Sequence, residues 1–399
     1  MQEKARHGQK HEGPGHEHRE AQAPGVRLLA HPARSRVGSV IDSCVHGGGS
    51  IMLQGMDLSK RDDRLHEDEI AYLICVEANR LEPQARLLCE SIRTFGGRYR
   101  KAPILAVSPR PHLALGPEAR AHLAKLGVTY AVEPLNETGS PYGTINRIVA
   151  GAWAETFSPR PYLVLLDTDT VLVGEPDFLR ADVGVRPVDV KGSASSGAGD
   201  PQDAYWARLC GFGGIDLSRL PMISTTIDNV PIRASYNGGF TVIRRDLGIL
   251  QRTRDVFFAS LAENLRPLAG KEFDVLASTG SVGLEASEWW GSSQAALSVA
   301  IWSRTSDVHT YDERYNIPLH NLIGPGRSWP MGPGFAPILL HYHYLAEAQY
   351  QEQLREVLTW IGCSSEVLEW IENRLSFFNP IRVKPPRSIL ERLTRLWKD

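Results

Sequence analysis

The 399-residue sequence contains no apolar run of transmembrane length, and its N-terminus lacks the hydrophobic core of a signal peptide. Charge of one sign is not in excess either, because 44 lysines and arginines stand against 46 aspartates and glutamates. This balance argues against nucleic acid as a partner. Cysteine is scarce: five residues are scattered without a Cys-x-x-Cys pair, which indicates reduced thiols. Together these absences predict a globular protein of the cytoplasm.

Composition divides the chain into three regions. Residues 1–65 are polar and rich in glycine, histidine and charge, without sustained periodicity, so they are predicted to form a disordered tail. Residues 66–345 form the predicted main domain, and residues 346–399 form a helical extension. The last part, Ser388–Asp399, has one apolar face flanked by arginine and lysine. It is expected either to dock on the protein's own body or to contact the inner face of a membrane peripherally.

The main domain begins with apolar stretches that alternate with helical patterns. Strands are predicted at 70–76, 104–107, 128–132, 162–166, 240–243 and 337–340, and helices at 83–95, 117–126, 144–155, 295–302 and 346–378. This alternation predicts a mainly parallel sheet with right-handed crossovers. Residues 191–236 show little periodicity and are predicted to be an irregular insertion, which is either a lid over a binding site or a peripheral excursion.

Two acidic residues, Asp167 and Asp169, directly follow the predicted strand 162–166. Side chains at i and i+2 of an extended segment point to the same side. At roughly 5 Å the two charges repel by about 3 kcal/mol in a protein-like dielectric of about 20. A bound cation, or protonation of one acid, would offset this cost. Because oxygen ligands favour Mg²⁺ or Mn²⁺ and α/β folds bind ligands at this edge of the sheet, the pair predicts a metal site for a phosphorylated substrate.

Two further patterns lie downstream. In Asn237-Gly238-Gly239 the glycines let the backbone approach a ligand closely, and the asparagine can donate and accept hydrogen bonds. His341 and His343 follow an apolar strand at the same spacing as the aspartates and could complete a metal shell. Each pattern also has an ordinary structural interpretation, as a tight turn and as packed histidines.

In their order these motifs resemble the nucleotide-sugar glycosyltransferases of the GT-A fold, in the metal-dependent class that includes glycogenin and bacterial lipopolysaccharide galactosyltransferases. The resemblance covers about residues 70–344. It is carried by Asn146-Arg147 on the helix before the Asp-x-Asp motif, Asp167-Thr168-Asp169, Asn237-Gly238-Gly239, Ser293-Gln294, Tyr315-Asn316 and His341, with His343 as the alternative. The sequence departs from the family at Ser293, where aspartate is common, and after His343, where a Lys-Pro-Trp run is common.

The resemblance implies a Rossmann-related, mixed and mainly parallel sheet flanked by helices, with a C-terminal helical extension. It implies transfer of a sugar from a nucleotide-diphosphate sugar, most commonly UDP-linked, to a glycan, lipid or protein acceptor. Mn²⁺ or Mg²⁺ would be held by Asp167, Asp169 and His341. The donor would contact Asn146, Arg147, Asp167, Asn237, Gly238 and Gly239. The candidate catalytic residues are Gln294, Asp169 and Glu288, the last being either a general base for an inverting reaction or an exposed acid.

Two other functions fit parts of the pattern. A haloacid-dehalogenase-like phosphatase also places Asp-x-Asp after a buried strand, with Asp167 as nucleophile, Asp169 as acid/base, and Mg²⁺. Against it, three predicted β/α units precede the motif here, and no acidic pair for the metal is evident downstream. A non-catalytic binding protein with a transferase fold is the third hypothesis, and retention of both aspartates and His341 argues against it.

Overall fold

The computed structural model describes residues 63–378, apart from 272–274, 325 and 346. The chain divides into two units, Met1–Ser59 and Lys60–Asp399, and the described residues belong to the second. Residues 1–62 of the predicted disordered tail and the amphipathic end Ser388–Asp399 lie outside the described residues. The last three residues of that predicted tail, 63–65, are described, and Leu65 is buried. Among the described residues, each helix is too short or too polar to pass through a bilayer.

The described residues form fourteen strands and nine α-helices. The strands are β1 Ile70–Cys75, β2 Ile104–Ser108, β3 Val128–Val132, β4 Tyr162–Leu166, β5 Thr170–Leu172, β6 Val183–Pro187, β7 Met222–Ser224, β8 Pro231–Arg233, β9 Tyr236–Arg244, β10 Val275–Ala277, β11 Gly280–Val282, β12 Val308–Thr310, β13 Ile317–Pro318 and β14 Leu339–His341. The helices are α1 Leu81–Phe95, α2 Pro117–Lys125, α3 Ile145–Phe157, α4 Asp203–Gly213, α5 Ile249–Ala262, α6 Leu284–Glu288, α7 Ser292–Arg304, α8 Ala348–Trp360 and α9 Ser365–Glu372.

The main sheet has the strand order β12-β6-β9-β4-β1-β2-β3. Strand β1 runs parallel to β2 and β4, β2 to β3, and β6 to β12, whereas β9 is antiparallel to both β4 and β6. The mixed, mainly parallel sheet flanked by helices that the sequence predicts is therefore confirmed. Central strands β1, β2 and β4 are almost entirely apolar because helices cover both of their faces.

Alternate residues of β1 show the two covered faces. Ile70, Tyr72 and Ile74 belong to the apolar cluster that contains the buried faces of α1 and α2. Ala71 and Leu73 belong to the cluster that contains residues of α3, α5 and α7. Successive side chains of a strand point to opposite faces, so the sheet lies between two helical layers.

The predicted metal-binding stretch changes sheets at the two aspartates. Strand β4 ends at Leu166, and the chain turns so that the N–H of Thr170 donates to the carbonyl of Asp167 at 3.2 Å. Strand β5 then pairs antiparallel with β14, in a register that places His341 opposite Thr170. This second, smaller sheet, of order β13-β14-β5, brings the histidines beside the aspartates.

The helical extension is two helices rather than one. The predicted run 346–378 breaks after α8 because Gly362 takes a φ of +81°, and Ser364 then accepts a hydrogen bond from the N–H of Val367 to begin α9. Apolar residues of both helices pack with those of β5 and β14. The extension therefore covers the smaller sheet, which holds one side of the candidate site.

The predicted irregular insertion is more regular than expected. Residues 191–236 contain helix α4 and the β7–β8 hairpin. Trp206 of α4 is fully buried, and its Nε1 donates to the carbonyl of Ser193 at 3.0 Å. The sequence did not indicate this helix because glycine-rich stretches lie on both sides of its short apolar face. Tertiary packing of Trp206 outweighs that local preference.

Candidate functional site

A cavity of about 690 Å³ opens at the carboxyl ends of β1 and β4. Its wall contains residues that follow these strands, residues from the beginnings of α3 and α7, and both strands of the β10–β11 hairpin. Residues 191–194, from the predicted lid or peripheral segment, also line it. The cavity therefore lies at the sheet edge where the sequence predicts a ligand site.

Asp169, His341 and His343 form a compact cluster in the cavity wall. Each offers one ligand atom, and these atoms lie within 4.8 Å of one another. The Nε2 of His341 is 3.3 Å from Oδ1 of Asp169, and the Nδ1 of His343 is 3.7 Å from Oδ2. His343 takes a φ of +52°, and its ring stacks on that of His341 with centroids 4.1 Å apart. The turn after β14 thus brings the second histidine back beside the first.

The electrostatics of this cluster suit a divalent cation. Burial disfavours the charged form of Asp169, yet the charges of His341 and His343 hold its pKa below the ordinary value. Burial and the neighbouring His341 lower the pKa of His343 to about 3, so this ring is neutral near pH 7. Asp169 and His341 are only 5% and 3% exposed.

The hydrogen bonding of His341 also fits a bound metal. Both of its ring nitrogens are buried without a hydrogen bond to any described residue. Buried polar atoms normally have partners, and a ring nitrogen that binds a metal would have one. The ionised carboxylate of Asp169, the neutral imidazole of His343 and the imidazole of His341, whose Nε2 lies beside that carboxylate, could together hold the ion.

Asp167 lies in an ion pair with Arg147. The Nη1 of Arg147 is 2.9 Å from both carboxylate oxygens, and its Nη2 donates to Oγ of Ser293 at 3.3 Å. Burial raises the pKa of Asp167, Arg147 opposes that rise, and Asp169 adds to it. The structure therefore places Asp167 beside the three-residue cluster, with both of its oxygens bound by Arg147.

The two glycines at the start of β9 make room for site residues. A Cβ on Gly238 would lie 2.0 Å from Nη1 of Arg147, and one on Gly239 would lie 2.7 Å from Nδ1 of His341. Neither glycine has a positive φ, so close approach, not backbone conformation, requires them. Asn237 accepts from the N–H of Gly239 at 2.9 Å and lines the cavity.

Of the remaining predicted residues, Gln294 and Asn146 line the cavity, whereas Glu288 does not. Gln294 lines the cavity, and its side chain makes no hydrogen bond within the part of the chain that the structure describes. Asn146 also lines it, held between Asn136 and the buried Glu77. Glu288 does not line the cavity, because its carboxylate pairs with Arg266 and accepts from the N–H of Gly270 at 2.7 Å.

Sequence reasoning missed several polar residues of the cavity wall, among them Glu77, Arg110, Asp189 and His320. Glu77 follows β1 and is bound by Arg110, whose Nε lies 2.7 Å from Oε1. Asp189 follows β6 and accepts from Nδ2 of Asn237 at 3.3 Å. The signal for Glu77 and Asp189 was the one used for Asp167, an acid just after a buried strand. His320 gave no such signal, although its ring lies 4.0 Å from that of His343.

Comparisons with known proteins identify the family of the chain. No curated protein matches the sequence. Among solved structures, the apo form of the bifunctional glycosyltransferase WbbM is 11% identical with a TM-score of 0.42, over 76% of this chain and 51% of that one, so the chain spans about half the length of WbbM. An active-site mutant of LgtC is 12% identical with a TM-score of 0.42, over 79% of this chain and 97% of the LgtC chain. Residues 72–274, just over half of the chain, match the model of the Rhodobacterales glycosyltransferase domain. The chain therefore belongs to the Rhodobacterales glycosyltransferase domain family.

Proposed function

We propose that this glycosyltransferase moves a sugar from a nucleotide-diphosphate sugar to an acceptor hydroxyl and needs a divalent cation to do so. The observation that supports it is the cluster of Asp169, His341 and His343 in the wall of the cavity, beside the guanidinium of Arg147. One carboxylate and two imidazoles suit Mn²⁺ better than Mg²⁺, which prefers oxygen ligands. Such a cation, when bound, stabilises the negative charge that grows on a leaving diphosphate.

The chain's own side chains would bind and orient the donor. Arg147 faces the cavity and is fixed by Asp167 and Ser293, so its remaining N–H groups can donate to phosphoryl oxygens without reorganisation. The amide of Gln294 is free to bond a sugar hydroxyl in the cavity. Because Glu288 is ion-paired outside the cavity wall, we do not assign it the role of general base.

The donor base and the acceptor rest on the family resemblance. A UDP-linked sugar is the expected donor because UDP-sugars are the commonest donors in the class that the sequence resembles. The acceptor would be a glycan, a lipid or a protein. The described cysteines Cys75, Cys89, Cys210 and Cys363 are free thiols, which suits the reducing cytoplasm that we propose as the location.

Release of nucleoside diphosphate from a panel of donor sugars tests this function. UDP-, GDP-, CDP- and dTDP-sugars are incubated with the protein, with Mn²⁺ or with a chelator, and water serves as acceptor. We expect turnover of one donor with Mn²⁺, loss of it with the chelator, and loss of it in Asp169→Asn. Asp255→Asn, an exposed acid on α5, is the control and should retain activity. Equal turnover with chelator and with Mn²⁺ would contradict the metal requirement.

A further inference from the structure

Asn316, the residue before β13, has a buried amide without a hydrogen-bond partner. Its side chain is only 2% exposed, and neither Nδ2 nor Oδ1 bonds to any residue from 63 to 378 that the structure describes. Its backbone takes a φ of +54°, which asparagine tolerates and glycine adopts freely. The backbone conformation therefore does not by itself explain why an amide is buried here.

The amide of Asn316 and the ring of His341 face the same small space. A Cβ on Gly239 would lie 2.7 Å from both Oδ1 of Asn316 and Nδ1 of His341, so these two atoms are at most twice that distance apart. They are not hydrogen-bonded, and Nδ1 of His341 has no other partner among the described residues. Rotation of the amide, or one bridging water, would connect them.

The two nitrogens of His341 face opposite neighbours. Nε2 lies 3.3 Å from Oδ1 of Asp169, on the side of the proposed metal, whereas Nδ1 faces the space beside Gly239. A neutral imidazole carries one proton. When Nε2 gives its lone pair to a cation, that proton is on Nδ1 and needs an acceptor. Oδ1 of Asn316 is an unpaired acceptor beside this space.

We propose that Asn316 is a positioning residue for the metal site: its Oδ1 accepts the Nδ1–H of His341 and keeps Nε2 directed toward the cation. The inference rests on the proposed metal-dependent function and extends it to a residue that does not line the cavity. It also gives a reason for Gly239, since any side chain there would occupy the space between the two groups.

Binding of Mn²⁺, measured by calorimetry, tests this role with three variants. Asn316→Gly keeps the positive φ and removes the acceptor, and we expect it to weaken Mn²⁺ binding by about 10–100-fold. Asn316→Asp keeps an acceptor at the same place and should bind Mn²⁺ at least as tightly as the wild type. Asn264→Gly, at an exposed asparagine with a φ of +52°, is the matched control and should bind as the wild type does.

Three outcomes would overturn the inference. Equal Mn²⁺ affinity in Asn316→Gly and the wild type would show that the amide does not act on His341. Weak binding by Asn316→Asp as well as by Asn316→Gly would show that an acceptor at this position is not what matters. Failure of the wild type itself to bind Mn²⁺ would overturn the metal site of the proposed function, and with it this inference.

Discussion

Replacement of Gly238 by alanine should separate Arg147 from Asp167 while leaving the fold intact. The new Cβ would lie between 2.0 and 2.3 Å from three guanidinium atoms, so the two groups cannot both stay where they are. The guanidinium is the far end of a flexible side chain, and it can move away at little cost to the core. The movement breaks its contacts with both oxygens of Asp167.

The structure sets the size of the effect. The side chains of Arg147 and Asp167 are 19% and 28% exposed, so their contact lies between a buried and a surface ion pair. A charge-assisted hydrogen bond contributes about 1.5–3 kcal/mol when buried, and an exposed pair about 0.2–1 kcal/mol. We therefore expect the free energy of unfolding to fall by about 1–2 kcal/mol. If Arg147 also stabilises the leaving diphosphate, kcat/KM should fall by about 10–100-fold.

The assay compares Gly238→Ala with Gly143→Ala. Gly143 also lines the cavity, but a Cβ there would have no atom within 4 Å, so its replacement should be neutral. Denaturant unfolding and donor turnover are measured for both variants beside the wild type. Retention of full kcat/KM by Gly238→Ala would refute the assignment of Arg147 to the donor. A loss of equal size in Gly143→Ala would show that any added methyl in the cavity blocks the reaction.

Three further changes have definite expected results. Glu288→Gln should leave the transfer rate within about twofold of the wild type, and a loss above about 100-fold would restore this residue as the base. The buried hydroxyl of Thr168, the residue between the two aspartates, donates to the side-chain oxygen of Gln84 at 2.8 Å, and Gln84→Leu removes this acceptor. The variant should lose about 1–2 kcal/mol of unfolding free energy and bind Mn²⁺ several-fold more weakly. Unchanged values in denaturant unfolding and calorimetry would contradict this. The hydrogen bonds of Arg233 hold the pKa of Asp203 below its ordinary value of 3.8. The stability that these bonds contribute is therefore complete above pH 3.8 and is lost as the pH falls through the lowered pKa. Asp203→Asn should therefore be about 0.5–1 kcal/mol less stable at pH 7, and unfolding at a series of pH values should show this difference shrinking in acid rather than persisting.

The elements that the sequence predicts well are those whose signals are local. Strands β1 to β4 are apolar runs bounded by turns, and α1 to α3 have one apolar face each, so a short window of sequence identifies them. Helix α4 was missed because its short apolar face lies in a glycine-rich stretch and depends on the burial of Trp206 by distant residues. The change of sheet at Asp167 is equally non-local, since the pairing of β5 with β14 directs it.

The candidate site could be predicted in outline but not in its pairings. The motif order suggested that Asp169 and His341 belong together, and the β5–β14 register places them 3.3 Å apart. Spacing alone left His341 and His343 as alternatives, whereas the structure brings both rings to Asp169 because the positive φ of His343 reverses the chain. The ion pair between Asp167 and Arg147 joins the turn after β4 to helix α3, so no short stretch of sequence predicts it. Membership of a glycosyltransferase family favours the transferase hypothesis over the phosphatase hypothesis.

The most direct test of the proposed function is the thermal stability of the protein with nucleoside diphosphates, with and without Mn²⁺. UDP, GDP, CDP and dTDP are each added to the wild type and to Asp169→Asn, and the unfolding temperature is recorded. We predict that one nucleotide, expected to be UDP, raises the unfolding temperature of the wild type only when Mn²⁺ is present, and that Asp169→Asn shows no such rise. A rise of the same size without Mn²⁺ or in Asp169→Asn, or no rise with any nucleotide on folded protein, would contradict the metal-dependent site.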